Sequence, residues 1–574
     1  PRSNGGPDPQ AGSQPAAAAN GNRRHAILLI ARDSNSITTM TSHSPNSIQS
    51  DTMIGVFLER IKMDPDGSGL VFFAAGRWQT LSWQAMADRV VRFSGQLINQ
   101  GIQPGEFVVQ VSENRYEWML LDLAIQAVGA VHVPINPDLT RRQVQQQLAH
   151  CKPHLIVVSN QTQLEKVTGM KPDPCQVLTY DTTQPGIEKV GLFDPQTDHP
   201  CTLQQLSAFV SKHVNQDSLL TVLYTSGTTG EPKGVMLSQE NVVSNARAKL
   251  QAIPLDTADV RLCWLPMSHV FSRVADQYTA YLAGCTSVIS RGTKNLFSEL
   301  THFSPTYLNG VPYFYEKCFR TLASQNLLDE PGALQKLLGG RIRLCNCGGA
   351  PLANHVFDYF QAAGVELVTG YGLTEASPVV STNRAAANRR GSVGQAIDGV
   401  SIRIAEDGEI LVRGPNVMKG YFRDKAATER VICQGWLHTG DLGQLDPDGY
   451  VSIMGRTNEM IITTGGHNVS PLAIETLLLT DPWIDQCVVV GDRRDYLTAL
   501  IVPANWPLDR DELGCRIHQR LSHLSRYEQI GRFRLIRDRL TTEQGLMTAK
   551  GSLRRKPILD KYAAEIEQLY AGIR

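Results

Sequence analysis

Past Thr52 the apolar positions fall into two alternating patterns. The stretch 85–100 spaces Met86, Val90, Val91, Phe93 and Leu97 along one helical face, and 118–128 is helical again. Between and after them, 107–111, 131–135 and 154–158 are short apolar runs with the length and β-branched content of strands. Strand, helix, strand at this rhythm predicts an α/β fold with doubly wound sheets of parallel strands. Further strand-like runs stand at 219–225 and 365–368. Near Arg456 the texture changes. Runs at 485–490 and 497–502 predict a hairpin-like pair of strands, followed by a helical stretch at 511–524. The predicted organisation is a leader at 1–50, a large α/β domain at 51–455 and a small, mobile α+β domain at 456–574. No internal repeat or heptad pattern interrupts it.

Composition narrows the function classes. The chain of 574 residues carries 55 Lys+Arg against 55 Asp+Glu, with 42% hydrophobic and 19% charged residues. That is a globular composition. A zero formal net charge argues against bulk nucleic-acid binding, which needs a basic footprint. No run approaches the roughly 18 apolar residues of a membrane span, so membrane contact is expected only at the periphery. The 11 cysteines include no CxxC pair and are expected to be buried reduced thiols, with a cytoplasmic location as the default. The first 22 residues are Pro/Ala/Gly/Asn/Ser-rich and cannot bury enough apolar area to order themselves. The apolar run at 26–31 is too short for a signal peptide core. The leader is therefore expected to be disordered or to precede the true start, with Met40 and Met53 as candidate first residues.

The chemistry enters with Leu223-Tyr224-Thr225-Ser226-Gly227-Thr228-Thr229-Gly230-Glu231-Pro232-Lys233-Gly234. A strand-like run feeds a loop of hydroxyls and glycines that ends in a lysine. Glycines let backbone N–H groups close on a phosphate, the hydroxyls of Ser226, Thr228 and Thr229 add donors, and Lys233 adds a compact charge. A Walker A loop would need GxxxxGK[ST]; here Lys233 precedes a glycine and no Ser or Thr follows.

This loop resembles the signature of adenylate-forming enzymes, the superfamily of acyl-CoA synthetases, peptide-synthetase adenylation domains and luciferases. The resemblance continues in order from about Thr52 to Tyr562. Gly370-Tyr371-Gly372-Leu373-Thr374-Glu375 is similar to the family segment that surrounds the nucleotide, implying Thr374 on phosphate and Glu375 on Mg²⁺. Mg²⁺ does favour one or two carboxylates beside phosphate oxygens. Gly348-Gly349-Ala350 resembles the segment that cradles adenine. Asp441, in Trp436-Leu437-His438-Thr439-Gly440-Asp441, matches the ribose clamp, and an ionised carboxylate suits a vicinal diol. Arg456 matches the arginine placed near the nucleotide, and Asn458 falls at the family's hinge. Thr463 to Pro471 is similar to the segment that swings in for thioester formation, where His467 reads as a local structural residue.

For the acyl group, the resemblance implies His269, in Leu265-Pro266-Met267-Ser268-His269, and Gly310-Val311-Pro312, which is similar to a segment of long-chain acyl-CoA synthetases. Tyr313 stands where that pattern has arginine. The segment Val412 to Tyr421 leans toward the long-chain and bubblegum-type branch. The family's C-terminal lysine pattern is displaced: anchored on Arg555 its lysine position holds Ser552, and Lys550 stands two residues early. Lys550 is taken as the catalytic lysine.

The resemblance thus implies a ligase that uses ATP, Mg²⁺ and CoA to turn a medium-to-long fatty acid into acyl-AMP and then acyl-CoA. Lys233, Thr374, Glu375 and Lys550 would be its catalytic residues. Thr225, Ser226, Gly227, Thr228, Thr229, Gly230, Lys233, Gly348, Gly349, Ala350, Tyr371, Gly372, Thr374, Asp441 and Arg456 would be its nucleotide contacts. Alternatives left open are an acyl-carrier protein as acceptor, a reaction that stops at acyl-AMP, and a non-catalytic acyl or nucleotide sensor.

Overall fold

The computed structural model describes residues 48–168, 175–181, 188–189, 201–226, 232–541, 544–548 and 553–571. Most of the expected leader, Gly227, Thr228, Thr229, Gly230 and Lys550 lie outside the described residues, as does the side chain of Ser226.

Two mixed sheets organise the large part of the chain. In the nine-stranded sheet, Glu366–Gly372, Leu344–Cys347, Tyr307–Gly310, Val260–Cys263, Thr286–Ile289 and Ser68–Ala74 run parallel, with antiparallel strands at both edges. In the eight-stranded sheet, Leu219–Ser226, Val131–Ile135, Phe107–Val111, Leu155–Val158, Gln176–Thr179 and Glu188–Lys189 are parallel. One core joins the two sheets through the helices Met53–Met63, Trp83–Asn99, Tyr116–Ala127 and Gln239–Ala252. Separate clusters cover the opposite face of each sheet. The mainly apolar central strands and the one-sided helices follow from this layering, since strands covered on both faces have no solvent-facing side to show.

Four features differ from the sequence reading. Packing starts before residue 51: Ile48 is buried, and Arg247 donates to the carbonyls of Ile48 and Ser50. Lys233 belongs to a strand, Pro232–Ser238, and not to the loop; it pairs antiparallel with Thr225 on Leu219–Ser226. A third, five-stranded antiparallel sheet from Ser401–Ile404 to Val451–Arg456 was not anticipated. In the C-terminal part, the expected antiparallel pair, Ile484–Val490 and Leu497–Pro503, gains a parallel partner, Ile530–Leu535. The helix between them is Arg510–Leu521. This α+β part has its own apolar clusters, so it is a separate small domain beside the large α/β one. No described helix is long and apolar enough to cross a membrane.

Candidate functional site

The carboxyl ends of adjacent parallel strands are where α/β sheets gather chemistry. Gly310 ends one such strand, Gly348 follows the next, and Glu366–Gly372 carries the third into a single 3₁₀ turn at Thr374–Ala376. The backbone makes this crowded by design. The Gly348 N–H donates to the Gly310 carbonyl at 3.1 Å, and a Cβ on Gly348 would press on the Phe271 ring at 3.1 Å. On Gly372 a Cβ would lie 2.0 Å from the Pro378 carbonyl oxygen, so only glycine fits there.

Two constellations flank this row. On one side the Tyr421 hydroxyl donates to Glu375 Oε1 at 2.9 Å, and Lys233 Nζ lies 5.0 Å from the centre of the Tyr421 ring. Strand pairing explains the meeting: Gly420–Tyr421 extends the eight-stranded sheet next to the lysine strand. On the other side the Tyr371 hydroxyl donates to Asp441 Oδ2 at 2.7 Å and Arg456 Nε to Asp441 Oδ1 at 2.7 Å. Asp441 and Arg456 are register partners in the third sheet. Burial first, and the Asp441 carboxylate next, push the Tyr371 phenol well above its ordinary range. Burial opposes charge on Arg456, while Asp441 raises its pKa through both charge and hydrogen bond. Glu375 is the carboxylate that fits Mg²⁺ chemistry, as a single hard oxygen ligand beside a lysine; no cluster of three ligating side chains occurs among the described residues.

Next to Tyr371 and Thr374 lies a narrow cleft of about 50 Å³, lined by Lys249, Val270, Phe271, Asn346, Gly349 and Val379 along with the 370–374 segment. Ala350 directly follows its rim. Val270 and Phe271 line the cleft, but their neighbour His269 does not, and neither do Gly310, Val311 and Pro312. Gly310 is closed in by the Tyr315 ring, while Val311 and Pro312 start the helix Pro312–Ser324. Asn458 stands exposed on a 3₁₀ turn, Thr457–Glu459, directly after the third sheet. His467 stacks on Tyr527 with ring centres 4.1 Å apart, a structural contact.

Sequence reasoning missed two residues. Tyr421 was quoted only as part of a segment, because its bond to Glu375 spans 46 residues of chain. Lys249 carried no motif; its only signal is its place four and eight residues after Asn245 and Asn241 on one helix.

Comparison with known proteins gives two family matches: AMP-binding enzyme over residues 57–422 and AMP-binding enzyme C-terminal domain over residues 458–574. The chain is 31% identical to the long-chain-fatty-acid–CoA ligase FadD15 of Mycobacterium bovis, over 91% of this chain and 97% of the relative. It is 24% identical to a chloroplastic long-chain-fatty-acid–[acyl-carrier-protein] ligase of Arabidopsis thaliana, over 86% of this chain and 83% of that protein. Among solved structures it resembles ATP-bound MatB from Rhodopseudomonas palustris, with a TM-score of 0.74 at 25% identity, covering 90% of this chain and 99% of that one.

Proposed function

Because the chain belongs to the AMP-binding enzyme family, we propose that it activates a fatty acid with ATP to acyl-AMP and transfers the acyl group to CoA. The observation that best supports this reading is the pair of constellations anchored on one short segment, at Tyr371 and at Glu375. Lys233, Tyr421 and Glu375 suit phosphate and its metal, and Tyr371, Asp441 and Arg456 suit a ribose.

In the first step a carboxylate oxygen attacks the α-phosphorus of ATP in line, and the bond to the bridging oxygen breaks to release pyrophosphate. The protein's part is positioning and charge compensation. Lys233, Thr374 and the hydroxyls of Thr225, Ser226, Thr228 and Thr229 meet the phosphates. Glu375, steadied by the Tyr421 hydroxyl, would hold Mg²⁺, which when bound supplies further positive charge to the phosphate oxygens. Asp441 accepts from the ribose hydroxyls, and Arg456 holds its carboxylate in place. Gly348, Gly349 and Ala350 take the adenine together with Tyr371 and Gly372 on one side of these backbone segments, and the acyl chain takes the cleft at Lys249 that the same segments wall on the other. Lys550 bridges the carboxylate and the α-phosphate. In the second step the domain after the boundary at 455/456 turns about Asn458 and withdraws Lys550. The CoA thiol, losing its proton, then forms the thioester as AMP leaves.

The test is a fatty-acid panel assayed for AMP, pyrophosphate and thioester, with CoA, with acyl-carrier protein and with neither. Thioester formed only with CoA supports the reading. Thioester only on the carrier protein replaces the acceptor, adenylate without thioester shortens the reaction, and binding without turnover makes the chain a sensor.

A further inference from the structure

The helix Gln239–Ala252 turns three polar side chains to one face at four-residue spacing: Asn241, Asn245 and Lys249. The first two are spent on backbone. Asn241 Nδ2 donates to the carbonyls of Pro415 and Val417 at 2.7 and 2.9 Å, and Asn245 exchanges hydrogen bonds with Val379 at 2.7 and 3.2 Å. Lys249, one turn on, has no equivalent. It is only 3% exposed, it lines the cleft, and its ammonium makes no hydrogen bond among the described residues.

Charge around it is unbalanced. Asp276 is the carboxylate that faces Lys249, and it is already held by Arg261 at 2.8 Å and by Asn309 Nδ2 at 2.6 Å. Burial first, and the Arg261 charge second, pull the Lys249 ammonium down to about 7, with Asp276 opposing them only in part. A buried amine retained without a partner is costly unless something else supplies one.

Asn346 lines the same cleft, and its orientation is fixed from behind. Asn309 must point its Nδ2 at Asp276 and the Ala275 carbonyl, so its Oδ1 faces Asn346 and accepts from Asn346 Nδ2 at 2.7 Å. That leaves Asn346 Oδ1 buried without a hydrogen-bond partner among the described residues. Beside the hydroxyls of Thr374 and Thr382, the cleft therefore offers one donor and one acceptor that have no hydrogen-bond partner among the described residues. A hydrocarbon chain would leave both unmet.

We propose that Lys249, with Asn346 beside it, is a specificity-determining residue that selects hydroxylated acyl chains over unsubstituted ones of the same length. The hydroxyl oxygen accepts from the Lys249 ammonium, and its hydrogen goes to Asn346 Oδ1. The inference rests on reading this cleft as the acyl site of the proposed ligase. Lys249 lies four residues beyond Asn245, about 6 Å along the helix, and Asn245 abuts the 376–379 backbone that follows Thr374. The selected group is assigned to the chain and not to the reacting carboxylate, and the dicarboxylic acid in the test separates a hydroxyl from a second carboxylate.

The test compares full-length wild type with Lys249→Met, which fills similar space without a donor, and Lys249→Gln, which keeps one. Pyrophosphate exchange is measured with a saturated fatty acid, its positional hydroxy isomers and the matching dicarboxylic acid, and the same acids are titrated calorimetrically. Wild type is expected to favour one hydroxy isomer by about tenfold or more in kcat/KM, with the preference lost in Lys249→Met and partly kept in Lys249→Gln. Equal use of the plain acid, or an equal loss on both acids in Lys249→Met, would overturn the inference; so would a preference for the dicarboxylic acid. If no acid supports exchange in wild type, the ligase reading fails, and the titrations still decide whether Lys249 selects a hydroxyl.

Discussion

Two buried ionic clusters flank a single π-helical winding, Arg273–Tyr278, and they are built to opposite ends. On one side, Asp122 accepts from His132 Nδ1 at 2.8 Å, Gln277 at 3.0 Å and Tyr278 at 2.7 Å, and it is ion-paired with Arg273. Arg273 in turn donates to Thr221 and Tyr278 at 2.7 Å. One carboxylate meets one guanidinium, and His132 stays neutral. On the other side, Lys249 and Arg261 share the single carboxylate of Asp276, next to a cleft. The closed cluster ties the eight-stranded sheet, through His132 and Thr221, to the helix Tyr116–Ala127 and the π-helical turn, whereas the open one keeps an unpaired charge where a ligand can use it. π-helical turns often mark functional sites, and here the wider winding lets adjacent residues face both clusters.

The comparison breaks most visibly if like substitutions act alike. Arg273→Met leaves Asp122 buried and uncompensated, so unfolding free energy should fall by about 3–5 kcal/mol, read from denaturant curves. A loss under about 1 kcal/mol would show that the closed cluster does not hold the π-helical turn to the eight-stranded sheet. In the cleft region, Lys233→Ala and Glu375→Ala should lower acyl-CoA formation by about 10²–10³-fold with stability nearly unchanged. Near-normal turnover in either folded variant would remove these residues from the site. Lys249→Met deletes a charge that has no paired carboxylate of its own, so it should be neutral or stabilising by about 1 kcal/mol, opposite in sign to Arg273→Met. A thermal melt showing a large loss would mean that Lys249 is a structural partner of Asp276.

The gentlest probe is pH. Burial first, and the neighbouring Arg273 second, lower His132 from 6.5 to about 4. The unfolded chain then binds more protons than the folded one across that window, and stability is lost as pH falls through it. Asp122, for which Arg273 and His132 outweigh burial, lies below the usual carboxylate range and extends the loss to lower pH. Lys249, lowered from 10.5 to about 7, adds stability as pH rises between those values, and Lys249→Met should flatten that rise. Urea midpoints from pH 4 to 10 check both limbs; a flat profile between pH 7 and 4 would contradict the closed-cluster account.

What the sequence made legible was what local pattern controls. Phe107–Val111 and Val131–Ile135 were found to the residue, because strands buried on both faces read as short, mainly apolar, β-branched runs. The antiparallel sheet between 401 and 456 escaped. Ser401–Ile404 is half exposed along its length and Ile432–Cys433 has two residues, too little for a period to appear. The motif residues around Thr374, Asp441 and Arg456 were legible as segments, and the structure brings them to one region. Tyr421 and Lys249 were not. Their roles arise from contacts between distant stretches, and Lys249 sits in a helix whose polar face points inward. Lys233 was assigned to the loop because glycines and threonines dominate its neighbourhood, whereas strand pairing with Thr225 fixes it.

The central claim is that this chain makes an acyl-adenylate beside the two constellations that hold Lys233 with Glu375 and Asp441 with Arg456. Acid-dependent exchange of labelled pyrophosphate into ATP, with CoA left out, tests it most directly. The account predicts exchange that requires a fatty acid and Mg²⁺, persists without CoA, and falls by about 10²–10³-fold in Lys233→Ala. Thioester formation by the purified chain without any such exchange, or exchange undiminished in Lys233→Ala, would contradict it.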